Sequence, residues 1–130
     1  MSGGEALDPD VVESLRQLTP PGEPDVLGEV LQLFLDEVPK KIDTLRTAMT
    51  SGDAGTVQRA AHSLKGSSGN IGARAMYDVC RQLDERARSE DLPRLQPLVD
   101  VLTAEYRLVE TEIRRLLGDG GSSRQSTVGS

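Results

Sequence analysis

Apolar residues recur at spacings of three and four along most of this chain, and this periodicity constrains its fold more than any other feature. Such spacing places apolar side chains on one face of an α-helix, and no segment favours a strand. The sequence therefore predicts an all-α fold. The most regular stripe comprises Leu95, Leu98, Val99, Leu102, Tyr106, Val109, Ile113, Leu116 and Leu117.

Capping residues and prolines mark a short first helix and a long second helix. Asp8 is a good N-cap and Pro9 a good first residue for the short helix, which the proline-rich residues 19–24 end. Asp25 caps the second helix, whose apolar stripe continues on both sides of Pro39. Because proline cannot donate a backbone hydrogen bond, we expect Pro39 to kink this helix.

Three further helices complete the pattern. Asp53 is the N-cap of a helix over about residues 54–69, and a helix over about residues 73–89 follows it. The last helix is expected to start at Pro93 and to end at residue 117. Four amphipathic helices with short connections predict an antiparallel four-helix bundle, with the additional short N-terminal helix over one end.

The bundle is expected to occupy residues 7–117 as one domain. Residues 1–6 and residues 118–130 contain no periodic apolar stripe, so both ends are expected to be disordered. The chain has 130 residues, which is enough to bury a substantial core. Because it contains one Phe, two Tyr and no Trp, aliphatic side chains must build most of that core.

Composition argues against several classes of function. A formal net charge of −6 does not suit nucleic acid or an anionic membrane as a partner. There is neither a signal peptide nor an apolar run long enough to cross a membrane, so a cytoplasmic protein is expected. The single cysteine, Cys80, excludes an intramolecular disulfide and falls on an apolar stripe, where it is expected to be a small core residue.

The chain also lacks the usual marks of a nucleotide or metal enzyme. It contains no GxxxxGK[ST] loop or other glycine-rich nucleotide motif, so no ATP-dependent kinase activity of its own is expected. One histidine and one cysteine do not make a typical zinc site. The sequence therefore predicts no cofactor and no bound metal.

His62, the only histidine, is the strongest candidate for a functional residue. It lies about 140–150° from the centre of its helix's apolar stripe, so it is expected to face solvent or the core edge. Lys65, Gly66 and Gly69 share its side of the helix. A nucleophilic nitrogen, a cation and two positions without side chains suit a phosphoryl group. The competing interpretation is an ordinary polar surface histidine beside small residues that permit close helix packing.

The motif around His62 resembles the signature of histidine-containing phosphotransfer (HPt) domains. The residues that carry the resemblance are His62-Ser63-Leu64-Lys65-Gly66-Ser67-Ser68 with Ile71-Gly72-Ala73, supported by 34–39, Asp53 and 79–83. The similarity covers roughly residues 25–115. It implies a helical bundle in which His62 accepts a phosphoryl group on Nε2, Lys65 steadies the phosphoryl oxygens and Gly66 leaves space for them.

The resemblance also implies partners. Such a protein is a phosphotransferase component that exchanges phosphoryl groups with the aspartates of response-regulator receiver domains, in relays fed by hybrid histidine kinases. Mg²⁺ is then expected on the receiver. The chain is expected to act as a monomer, and its docking surface to surround His62. The candidates for that surface are Ile71, the small residues 67–69 and exposed parts of the neighbouring helix.

One position departs from the commonest family pattern. Many free-standing members have a glutamine 22 residues after the histidine, where this chain has Asp84. A carboxylate there is expected either to orient the neutral imidazole or to repel a phosphoryl group. Arg81 and Arg88, one turn away on either side, are candidates to neutralise it, whereas Gln82 is expected to point elsewhere.

Two alternatives to a free-standing phosphorelay intermediate remain open. One is a helical module that binds receivers without carrying phosphate, which the intact set of His62, Lys65 and Gly66 disfavours. The other is the HPt part of a larger hybrid histidine kinase.

Overall fold

The computed structural model describes residues 6–23, 25–89 and 91–118, and they form five α-helices and one short 3-10 helix. The α-helices are α1 (Pro9–Gln17), α2 (Val26–Ser51), α3 (Ala54–Asn70), α4 (Arg74–Arg86) and α5 (Gln96–Gly118). The 3-10 helix, Leu92–Leu95, precedes α5. No strand occurs in the described part of the chain, so the predicted all-α class is confirmed.

Helices α2 to α5 pack as a four-membered ring. Helix α3 lies between α2 and α4, and α5 closes the ring against α4 and α2. Contacts between α3 and α4 run in opposite directions along the two helices: His62 meets Asp84, whereas the later Gly69 meets the earlier Tyr77. The helices are therefore antiparallel, and α1 packs on the ring against α2.

The three predicted N-caps are present. Asp8, Asp25 and Asp53 accept hydrogen bonds from the backbone N–H groups of Asp10, Leu27 and Thr56, at 2.9, 3.2 and 3.1 Å. Each bond satisfies an N–H group that lacks a partner within its helix.

Helix α2 continues through Pro39 without a break. Val38 and Ile42, on either side of the proline, are buried, so core packing on both sides holds the helix together. The kink expected at Pro39 stays a prediction.

The boundaries of the last two helices differ from the predictions. Helix α4 ends at Arg86, and residues 87–89 form a turn that leads to the buried Leu92 and Leu95. Helix α5 begins at Gln96 rather than at Pro93. The reason is Pro97, which fits the first turn of a helix but would clash with a carbonyl group inside one that began four residues earlier.

Two residues assigned to disordered ends belong to the bundle. Ala6 packs against the core beside the buried Leu7, and Gly118 is the last residue of α5. The rest of both predicted tails, 1–5 and 119–130, lies outside the described residues, and so do Pro24 and Glu90.

The predicted core is largely observed. On α3 all five stripe residues are buried, namely Val57, Ala60, Ala61, Leu64 and Ser68. Phe34 of α2 stacks on Tyr106 of α5, with ring centroids 6.2 Å apart. Cys80 is fully buried as expected, and burial raises the pKa of its thiol to about 12. Helix α1 has no fully buried residue, and its Leu18 neighbour is exposed, so α1 only covers the bundle.

Candidate phosphoryl-transfer site

His62 lies near the middle of α3 and points outward beside α4. Two-thirds of its side chain, 66%, is exposed. Its Nδ1 lies 3.1 Å from Oδ2 of Asp84. One nitrogen of the ring is therefore held by the protein, which leaves Nε2, on the far side of the ring, toward solvent.

Asp84 is a buried charge. Its side chain is 5% exposed, on a helix whose other buried residues are apolar. Besides His62, it accepts hydrogen bonds from Gln58 Nε2, at 3.1 Å to Oδ1, and from Lys65 Nζ, at 3.2 Å to Oδ2. The carboxylate is thus removed from water but surrounded by donors, as a buried charge requires.

The protonation state of Asp84 fixes the tautomer of His62. Burial alone would raise the pKa of this carboxyl, but hydrogen bonds from His62, Gln58 and Lys65 outweigh it and lower the pKa from 3.8 to about 2. An ionised carboxylate only accepts hydrogen bonds, so Nδ1 must carry the proton. In the neutral ring the lone pair is then on the exposed Nε2, so this nitrogen can act as a nucleophile.

Lys65 is held against the same carboxylate as His62. Its Nζ bonds to Oδ2 of Asp84, and about a quarter of its side chain, 26%, is exposed. The ammonium group therefore lies beside the imidazole in the resting protein. The Lys65 side chain is long and flexible, and a phosphoryl group on Nε2 of His62 would offer its ammonium group a second anionic partner.

The two glycines of this face differ in their surroundings. A Cβ at Gly66 would meet no atom within 4 Å, so the surface there is open. Gly69 is also exposed, but a Cβ there would lie 3.4 Å from Cδ2 of Tyr77, in contact with the ring. The surface at Gly66 is therefore open, and its role in clearing the approach to His62 stays a prediction, whereas a side chain at Gly69 would contact Tyr77 of α4.

The charged neighbours of Asp84 are only partly those expected. Arg88 lies 3.9 Å from Oδ1, close enough to offset the charge. Arg81 instead pairs with Asp78 and Glu85 on the exposed side of α4. Gln82 also points away, and it donates to Asp78.

Part of the predicted docking surface is inside the protein. Ile71 is 1% exposed because the chain turns inward after α3, and Ser68 is buried with its hydroxyl donating to the carbonyl of Leu64. Ser67 stays accessible and lines a groove between α2 and the end of α3. The groove also includes the exposed Leu33 and the partly exposed Lys41.

Two absences apply to the described residues. Within 6–23, 25–89 and 91–118, no three His, Cys, Asp or Glu side chains are grouped to hold a metal ion. None of the helices described there is both long and apolar enough to cross a membrane.

Comparison with known proteins places this geometry in a family. The family model described as the Hpt domain matches residues 29–117. The chain is 30% identical over 105 residues to histidine-containing phosphotransfer protein 5 of Arabidopsis thaliana. The aligned region covers 78% of this chain and 67% of that relative. The chain is 29% identical over 108 residues to protein 2 of the same plant, with 81% and 69% covered.

Solved structures share the bundle. Histidine-containing phosphotransfer protein B from Pseudomonas aeruginosa PAO1 superimposes with a TM-score of 0.78 at 29% identity, covering 85% of this chain and 92% of that one. The maize protein ZmHP2 gives a TM-score of 0.80 at 21% identity, with 92% of each chain covered, and supports the fold alone. This chain belongs to the Hpt domain family.

Sequence reasoning missed one residue of the site. Gln58 lies one helical turn before His62, and its amide reaches the carboxylate that holds the imidazole. Its spacing from His62 was the available signal, but only the position of Asp84 on the neighbouring helix gives that spacing a meaning.

Proposed function

We propose that His62 is the residue through which this protein, a phosphorelay intermediate of two-component signalling, accepts and donates phosphoryl groups. HPt domains interact with receiver domains and hybrid histidine kinases, so the phosphoryl donor is an aspartyl phosphate on a receiver. The observation that carries the proposal is the bond between Nδ1 of His62 and Asp84, which leaves Nε2 exposed with its lone pair.

The transfer is a displacement at phosphorus. The Nε2 lone pair attacks the phosphorus atom, the bond from phosphorus to the aspartyl oxygen breaks, and the receiver aspartate leaves as a free carboxylate. The proton on Nδ1 stays in place and the ring becomes cationic, so the negative charge of Asp84 balances it. The reverse displacement by a second receiver's aspartate regenerates the neutral ring.

The remaining residues act by position and charge. Lys65 moves its ammonium group from Asp84 toward the phosphoryl oxygens, and Gly66 leaves room for the receiver surface beside the ring. The receiver supplies Mg²⁺, and this chain needs no metal of its own. We place the exchange in the cytoplasm, where receivers and kinase domains meet, and take the protein to act as a monomer.

Transfer of label from a receiver tests the proposal. Receiver domains phosphorylated with radiolabelled acetyl phosphate are mixed with the wild-type protein or with His62→Gln, whose exposed position makes a folding defect unexpected. We expect acid-labile, base-stable label on the wild type and none on the variant.

Binding controls separate the rival function. If neither protein takes up label from a panel of receivers, although both bind them, the protein is a receiver-binding module that carries no phosphate. Circular dichroism of His62→Gln checks that the bundle is intact.

A further inference from the structure

The two oxygens of the Asp84 carboxylate have different hydrogen-bond partners. Oδ2 accepts from His62 and Lys65, whereas Oδ1 accepts from Gln58 Nε2 at 3.1 Å. Arg88 is also near Oδ1, but at 3.9 Å it is beyond hydrogen-bond distance, and its side chain is 64% exposed. The half-buried Gln58 therefore supplies the hydrogen bond that keeps Oδ1 from facing His62.

This division matters because a carboxylate rotates about its Cβ–Cγ bond. Terminal torsions of this kind are broad, so the backbone of α4 does not fix the plane of the Asp84 carboxylate. A buried oxygen that lost its donor would turn toward another, and Arg88, 3.9 Å from Oδ1, is within reach. Lys65 has a long side chain and can follow such a movement, whereas the His62 ring has only two torsions with which to follow it.

We propose that Gln58 is a positioning residue of the phosphoryl-transfer site: by holding Oδ1 of Asp84, it aims Oδ2 at Nδ1 of His62 and keeps the lone pair on Nε2. The assignment rests on the proposed role of His62. Gln58 itself does not touch the phosphoryl group, because its amide is directed at Asp84. It acts on the reaction only through the orientation and the tautomer of the His62 ring.

The fact that His62 is the only histidine makes the tautomer directly measurable. The ring nitrogen-15 resonances of the whole protein come from one imidazole, recorded at a pH where the ring is neutral. We expect the wild type to show a protonated Nδ1 and an unprotonated Nε2. In Gln58→Leu, which removes the amide donor but keeps a good helix former, we expect the two nitrogen shifts to move toward each other as the tautomers mix.

Phosphoryl transfer provides the second readout. We expect Gln58→Leu to accept label from a phosphorylated receiver about tenfold more slowly than the wild type, since a misplaced nucleophile loses rate without losing the site. Gln58→Lys, which restores a donor on a flexible side chain, is expected to recover the wild-type tautomer and most of the rate. Gln32→Leu is the matched control, because Gln32 makes the same amide–carboxylate bond to Asp36 on the exposed face of α2.

The outcomes separate this inference from the function on which it rests. If Gln58→Leu keeps the tautomer and transfer rate of Gln32→Leu, the assignment of Gln58 is overturned. If the wild type itself takes no label, the proposed function fails, and the ring resonances alone decide whether Gln58 positions His62. Should Gln58→Leu fail to fold, as judged by circular dichroism, Gln58→Ala is measured in its place.

Discussion

The Asp84 carboxyl group is kept ionised by neighbouring hydrogen-bond donors rather than by solvent. Burial penalises the carboxylate, yet donors on α3 keep the pKa at about 2. Its proton affinity is therefore linked to folding: the unfolded chain binds the proton more readily than the folded one. Because the pKa is lower in the folded state, the stabilisation is complete above about pH 5, declines as the pH falls through 3.8 and is lost as it falls through 2.

This linkage predicts how Asp84→Asn changes acid denaturation. As the pH falls from about 5 to 2, the wild type should lose about 2 kcal/mol more unfolding free energy than Asp84→Asn, whose amide does not titrate. Urea unfolding at a series of pH values measures the difference. Asp78→Asn is the control, since the Asp78 carboxylate is exposed, and a variant of Asp78 that matched Asp84→Asn would contradict the assignment.

Alanine substitutions at the two glycines beside His62 are predicted to affect folding stability and phosphoryl transfer differently. Gly66→Ala should raise the unfolding free energy by up to about 1 kcal/mol, because alanine favours helix and the new methyl group meets nothing. The same methyl group occupies the approach to His62, so transfer from a receiver should slow. Stability and transfer are measured on the same preparations.

Gly69→Ala serves as the comparison. Its methyl group would lie 3.4 Å from the Tyr77 ring, one helical turn further from His62 than Gly66. We expect a smaller gain in stability and little change in the transfer rate. Equal slowing in both variants would mean that Gly66 does not mark the path of the receiver.

At the scale of elements, α1 is attached to the turn between α3 and α4. The backbone N–H of Asp8 donates to the carbonyl of Gly72 at 2.8 Å, and the Arg74 side chain pairs with the Asp8 carboxylate. Gly72 has φ +76°, and a Cβ there would lie 2.8 Å from Cβ of Val11. Glycine is required at this turn both for its backbone conformation and for the close approach of α1.

Gly72→Ala is therefore predicted to be strongly destabilising. Left-handed backbone costs an L-residue about 1 kcal/mol, and overpacking adds about 1–3 kcal/mol. The matched control is Gly52→Ala, at φ +77° with no atom within 4 Å of the new Cβ, which carries the backbone cost alone. Chemical denaturation measures both variants. Equal losses of unfolding free energy in the two variants would show that α1 moves away from the new methyl group without an energetic penalty. Faster amide exchange in α1 of Gly72→Ala would show that the destabilised region is α1.

At the scale of the whole molecule, the bundle follows from local rules that can be applied without the structure. Caps such as Asp53 and stripes such as that of α3 depend on residues within a few positions of each other. The start of α5 was wrongly predicted because Pro93 and Pro97 compete for the first turn of a helix. That competition is also local: Pro97 is a weak point in a helix that starts at Pro93, and the structure resolves the conflict by starting α5 at Gln96.

The site itself was only half predictable. His62, Lys65 and Gly66 share one helix, and helical periodicity places them together. Whether Asp84 helps or hinders depended on the register between α3 and α4, which no local pattern determines. The burial of Ile71 escaped prediction for the same reason, since it follows from where the chain turns after α3.

The buried Cys80 has a practical consequence for anyone handling this protein. The Cys80 thiol is wholly enclosed and burial raises its pKa to about 12, so we expect it to react with oxidants and alkylating reagents only when the bundle opens. Since it is the chain's only thiol, the rate at which it becomes labelled counts the openings of the core. The labelling rate of Cys80 thus reports how often the core opens, without any added probe.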